Sequence, residues 1–164
     1  MTHGVIFGFE PAGRICGNSR MYYFGRSKQT VLQDQKLLDD EVMQRDMLIR
    51  RLKFSGLNRP KKILFWLKVD GDLDVNQMWD EIKDRLRWNR GRTGPSITNE
   101  FRFGDNWFSA DAQPEPFAEW CKTMVQEEVQ LILQRVPYRS QMDVVHRAIS
   151  DVDEMLAKMK TNVD

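Results

Sequence analysis

The chain has 164 residues, with 25 Lys and Arg against 24 Asp and Glu, five Trp and nine Phe. Its length suits one ordinary domain, able to bury roughly two-thirds of its unfolded surface without a metal or disulfide, and its 41% hydrophobic fraction argues against disorder. The net charge of +1 gives no global bias toward nucleic acid or membrane, and no run approaches the roughly 18 apolar residues needed to span a bilayer.

Residues 4–9, GVIFGF, and 21–24, MYYF, are short aromatic and β-branched runs that read as two strands. The intervening GRICGNSR has two arginines and small residues, but not the glycine, lysine and hydroxyl order of a nucleotide-binding loop, so it reads as a structural turn. From Thr30, capped with Gln33, an amphipathic pattern runs to about Phe54, with Val31, Leu38, Val42, Ile49 and Leu52 on one stripe. Gly56, Asn58 and Pro60 then turn the chain. Ile63, Leu64, Phe65, Trp66, Leu67 and Val69 form a β-prone run, a buried strand bounded by charge. Asp74 with Gln77 fits a capping pair for a helix whose face is Val75, Met78, Trp79, Ile82 and Leu86, ended by Gly91 and Gly94-Pro95.

Beyond it, Ile97–Phe103 and Trp107–Phe108 flank Gly104-Asp105-Asn106, the turn chemistry of a short antiparallel hairpin. DAQPEP, residues 111–116, reads as an extended connection. With Pro116 at a first helical position, Phe117, Trp120, Cys121, Met124, Glu128, Leu131 and Ile132 trace one face of a helix that stops before Pro137. Ser140 and Asp143 open another, with Val145, Ala148, Ile149, Val152, Met155, Leu156 and Met159 as its stripe. The order implies an α+β fold: a mixed or antiparallel sheet of about five short strands, helices on one face, and a C-terminal antiparallel helical hairpin. The division is a core at 1–110, a short connection at 111–116, and the hairpin at 117–164 within the same domain.

Asp70, Asp72, Asp74 and Glu81 match the spacing of oxygen ligands in a calcium-binding loop and so resemble an EF-hand there, but Val75 stands where its glycine belongs and a strand precedes it. A strand followed by closely spaced aspartates at a helix start also resembles RusA-type Holliday-junction resolvases. That resemblance implies a Mg2+-dependent nuclease using Asp70, Asp72 and Asp74. This chain departs from the Asp-x-Asp-Asn order by inserting Val75 before Asn76, and has Met78 at the expected lysine. The structural alternative is a turn at Asp70-Gly71 with the other aspartates favouring a helix N-terminus.

Histidine chemistry has only His3 and His146 to draw on, and neither Cys16 nor Cys121 has a local base. The wide separation of the two cysteines implies reduced thiols, and Cys121 on an apolar helix face reads as core. Pro116-Phe117, Cys121 and Val125 are similar to the short helical box with which viral and cellular adaptors dock on Elongin B and C, although that box has leucine where Phe117 stands. A core-facing helix explains the same spacing.

The charge distribution says more than its sum. Residues 49–103 carry an excess of Lys and Arg and residues 104–164 an excess of Asp and Glu. Arg50, Arg51, Lys53, Arg59, Lys61 and Lys62 precede the strand at 63, and Arg85, Arg87, Trp88, Arg90, Arg92 and Arg102 follow it. Arginine pairs with phosphate and stacks on bases, so Arg59, Lys61, Lys62, Arg85, Arg87, Trp88, Arg90, Arg92 and Arg102 are the candidate residues for RNA or single-stranded DNA. A solvated basic surface paired with the acidic tail explains the same charges.

The function expected is therefore nucleic-acid binding without catalysis. The alternatives are a protein-interaction or assembly factor acting through the C-terminal hairpin, with self-association as one route, and a Mg2+-dependent nuclease. No cofactor and no membrane partner are expected. The N-terminus lacks a charged start followed by a long apolar segment, so an intracellular, soluble location, cytoplasmic or virion-associated, is the expectation.

Overall fold

Eight consecutive buried residues, Gly4–Pro11, form strand β1. A strand buried at every position must be covered on both faces, because successive side chains point to opposite sides. The computed structural model describes residues 4–17, 19–28, 40–69, 74–88, 94–134 and 156. The chain divides into two units, Met1–Val129 and Gln130–Asp164, and the architecture that follows is that of the first.

β1 is followed by β2 (Ile15–Cys16), β3 (Ser19–Lys28), α1 (Glu41–Leu52), β4 (Pro60–Val69), α2 (Val75–Arg87), β5 (Ile97–Asn99), β6 (Trp107–Ala110) and α3 (Pro114–Gln134). The six strands make one antiparallel sheet in the order β4-β1-β3-β6-β5, with β2 paired to β3. In the arginine-bearing GRICGNSR segment, read as a turn, Ile15–Cys16 are strand β2 and Ser19-Arg20 open β3, with the chain turning at Gly17. Cys16 pairs with Ser19 across a two-residue connection that begins at Gly17, where φ is +61°.

Val5, Phe7 and Phe9 on one face of β1 cluster with Ile63 of β4 and with Met47 and Leu48 of α1, and Tyr23, Leu52, Phe54 and Trp66 pack around them. The opposite face belongs to α2 and α3. Val75 of α2 sits against Gly4, and Phe117 of α3 packs on Tyr22 with ring centroids 4.4 Å apart. Helices therefore cover both faces of the sheet, which corrects the expectation of helices on one face. A doubly buried central strand leaves no face for solvent.

Two helix starts follow the capping chemistry. Asp74 accepts from the amides of Asn76 and Gln77, and Asp40 accepts from those of Val42 and Met43. Asp40 begins a helix whose expected start, Thr30, lies outside the described residues. The expected stripe on α1 is also corrected: Gln44, Met47 and Leu48 are buried while Val42 is 52% exposed. The helix is rotated by two contacts to the sheet edge. Glu41 accepts from the Ile63 amide at 3.0 Å and Arg45 donates to the Lys61 carbonyl at 2.9 Å, covering backbone groups that edge strand β4 would otherwise expose.

Two further boundaries shift. The strand expected at Ile97–Phe103 ends at Asn99, and Phe101–Phe103 form a 3-10 turn. The extended connection expected at 111–116 shortens, because α3 starts at Pro114. Both prolines fit its first turn, where amides have no intrahelical acceptor to lose. The box similar to an Elongin-docking helix faces the core, since Phe117, Cys121 and Val125 are all buried. The second helix of the expected hairpin lies outside the described residues apart from Leu156, which is helical. One long helix stands where the hairpin begins. No helix among the described residues is long and apolar enough to cross a membrane.

Gly8 sets the spacing of the helix-bearing aromatic layer. A Cβ there would lie 2.7 Å from a Phe65 ring carbon and 2.9 Å from Phe24, closer than non-bonded carbons approach. Gly8→Ala is expected to force those rings apart and destabilise the fold by about 1–3 kcal/mol, as overpacked cores do. A denaturant melt showing an unchanged midpoint would contradict this packing.

Candidate nucleic-acid interface

The turn between β5 and β6 is the most exposed aromatic segment on the sheet. Phe101 is 64% and Phe103 41% exposed, and Arg102 projects between them in the same 3-10 turn. The turn is held from below. Asn99 donates to the carbonyls of Asp105 and Trp107 and accepts from Arg87 Nε at 2.8 Å. Gly104, at φ +125°, supplies the backbone conformation that closes it.

Cations surround these rings. The Arg87 guanidinium lies 5.5 Å from the Phe101 centroid, and those of Arg102 and Arg14 each lie 4.9 Å from that of Phe103. Arg14 also lies over Trp107 at 4.8 Å, and its Nη1 has no hydrogen-bond partner among the described residues. The acidic groups nearby are already engaged. Glu100 accepts from Ser109 Oγ at 2.8 Å and lies 3.6 Å from Arg102 Nε, while Asp105 bridges Lys83 and Arg87. Arg102 also donates to the Cys16 sulfur. Cys16 and Cys121 are both free thiols, and burial pushes the Cys121 thiol well above its ordinary value.

The candidate residues do not form one surface. Arg59, Lys61 and Lys62 stand at the start of β4, one edge of the sheet, and Arg87 and Arg102 stand near β5, the other edge. Lys61 faces buried Glu10 at 3.9 Å. Arg85 is withdrawn altogether: its side chain is 9% exposed and bonds Glu127 at 2.6 Å and Glu128 at 3.0 Å, tying α2 to α3. That pairing explains the single charged residue on the apolar face of α3. Trp88, the residue after α2, is 61% exposed. Arg90 and Arg92 lie outside the described residues.

Reading the sequence missed Phe101, Phe103 and Arg14 as site residues. The alternation of Phe101, Arg102 and Phe103 looks like a strand, and the signal against it was Gly104 so close behind. Asp70, Asp72, His3 and His146 lie outside the described residues. Asp74 is a helix cap, and no cluster of His, Cys, Asp and Glu suited to a metal occurs among the described residues. No protein-family model matches the chain, and no solved structure matches it.

The Asp105 bridge offers a direct check. The hydrogen bond from Lys83, with the charge of Arg87 beside it, holds the Asp105 carboxyl below its ordinary value of 3.8. A depressed folded-state value contributes stability that is complete above the ordinary value and lost as pH falls through the folded one. An NMR titration of the Asp105 carboxyl carbon is expected to show a midpoint below 3.8 that moves upward in Lys83→Met. A midpoint unmoved by that change would contradict the bridge.

Proposed function

We propose that this protein binds single-stranded nucleic acid, RNA or DNA, through the Phe101–Phe103 turn. The observation that carries the reading is Phe101: an exposed ring on a braced turn, with the Arg87 guanidinium 5.5 Å from its centroid and Arg102 next to it in the chain. Exposed rings accept the π-face of any base, and arginines pair with phosphate or stack on bases in turn. Phe103 is flanked by two guanidinium groups and Phe101, the more exposed ring, by one, so Phe101 is the stacking platform and the arginines supply backbone contacts.

Anisotropy titrations of labelled single strands across a salt series test this. Phe101→Ala is expected to lose about 1–3 kcal/mol of binding, the usual effect of removing one base-stacking ring. Arg102→Ala is expected to weaken all sequences alike and flatten the salt dependence by about one phosphate contact. Including Mg2+ and resolving products on a gel separates binding from the nuclease alternative. Absence of salt-sensitive binding, or binding indifferent to Phe101→Ala, overturns the reading.

A further inference from the structure

We infer a second polyanion site, separate from the Phe101–Phe103 turn and at the opposite edge of the sheet, where the end of α1 and the start of β4 hold the phosphate backbone of a duplex; it goes beyond the reading above and does not depend on it. Residues 50–62 carry Arg50, Arg51, Lys53, Arg59, Lys61 and Lys62 and no Asp or Glu. Two hydrogen bonds set these residues side by side. Glu41 of α1 meets the Ile63 amide and Arg45 meets the Lys61 carbonyl, so four residues forward along the helix, about 6 Å, match two residues back along the strand, about 6.6 Å. The helix therefore runs antiparallel to β4, the edge strand on this side. One more step of that register brings the last turn of α1, with Arg50 and Arg51, level with Arg59.

These cations are open to a ligand. Arg50, Arg51, Lys53, Arg59 and Lys61 are exposed, and among the described residues none of Arg50, Arg51, Lys53 and Arg59 has an acidic partner. The acids beside them are few: Glu10 is engaged by Arg20 and Lys61, and Glu41 by the Ile63 amide, which leaves Asp46, one turn before Arg50. Lys53 adds an independent observation. It closes α1 in the left-handed conformation at φ 57°, the one non-glycine residue with positive φ among the described residues, at a position that glycine or asparagine ordinarily fills. Arg50 and Arg51 already complement the helix dipole from the last turn, so the dipole does not account for a third cation in a strained conformation.

A duplex backbone is the occupant this edge fits. The Phe101–Phe103 turn offers rings to bases, whereas here Phe54 packs inward on Phe9 and Tyr23, and Leu57 is the one large apolar side chain of residues 50–62 that stands exposed. Cations without a stacking surface recognise phosphate, and arginines do so bidentately. Their attraction is greatest where phosphates are densest, in a duplex, which carries one charge per about 1.7 Å against about 3.4 Å along each of its strands. An anionic membrane is held through an apolar face beside the charge, which a single leucine does not make.

The test is anisotropy of a labelled duplex of about 20 base pairs, titrated across a salt series with the wild type, Lys53→Gly, Arg59→Ala, Phe101→Ala and Lys122→Ala, each also melted. Lys122 is an exposed lysine on α3, which packs on the other face of the sheet, and controls for general charge. Lys53→Gly is expected to melt no lower than the wild type, since glycine relieves the strained cap, and yet to bind more weakly. Arg59→Ala should bind more weakly too. Each change should remove one phosphate contact, which is roughly 3.5-fold of the affinity lost between about 50 and about 200 mM salt. Phe101→Ala and Lys122→Ala should leave duplex affinity unchanged. Duplex binding that Lys53→Gly and Arg59→Ala do not weaken, or that Phe101→Ala or Lys122→Ala weakens as much, overturns the second site, and so does absence of duplex binding, with or without capture by phosphatidylserine vesicles. Loss of single-strand binding in Phe101→Ala is measured separately, so either site can fail while the other stands.

Discussion

Full burial of β1 is the constraint from which the rest of the architecture follows. With Val5, Phe7 and Phe9 on one face and Gly4, Ile6 and Gly8 on the other, the strand needs apolar cover on both sides. One helix supplies the first cover and two supply the second. The strand also needs hydrogen-bonded neighbours on both edges, which β3 and β4 provide. Once β4 takes one side, every later strand adds beyond β3, and the sheet grows in one direction. Because each of the three steps from β4 to β6 is antiparallel, those two strands run in opposite directions, and the turns before them leave opposite ends of the sheet.

That geometry sorts the arginines by role. Arg85 and Arg87 are two residues apart on α2 and point to different environments, as helical spacing requires. Arg85 enters the contact with α3, where two glutamates offset its desolvation. A buried cation with one partner removed is costly, whereas the complete group orients the two helices at little net gain. Arg87 instead reaches the exposed turn and holds it through Asn99 and Asp105. The two arginines of α2 therefore have separate roles, Arg85 internal and structural, Arg87 beside the exposed Phe101 ring.

Much of the fold was legible because its signals are local. The Asp74 cap, the Met78, Ile82 and Leu86 face, and the apolar run of β4 each declare themselves within a few residues. The errors arose where distant contacts decide. Glu41 and Arg45 rotate α1 by bonding an edge strand, so Val42 turns outward despite its hydrophobicity. Glu128 reads as an interruption in an apolar stripe until Arg85 is brought to it across α2 and α3. The candidate site was only half legible for the same reason. Arg102 was visible as charge, but Arg14 joins it solely because the loop after β1 folds toward β6.

The exposure of Phe101 and Phe103 has its own cause beneath them. Trp107 and Tyr23 pack edge to face with ring centroids 5.0 Å apart, and Phe9 and Phe54 complete that layer. The aromatic space on the α1 face is already filled, so no room remains for the rings of the turn above it. Collapse of the turn onto that layer is further opposed by the bonds that Asn99 makes to the carbonyls of Asp105 and Trp107. Exposure is in this way built into the packing of the layer below. A rigid turn that presents its rings before any partner arrives has little conformational entropy left to lose on binding, which is where such a surface gains affinity over a flexible one.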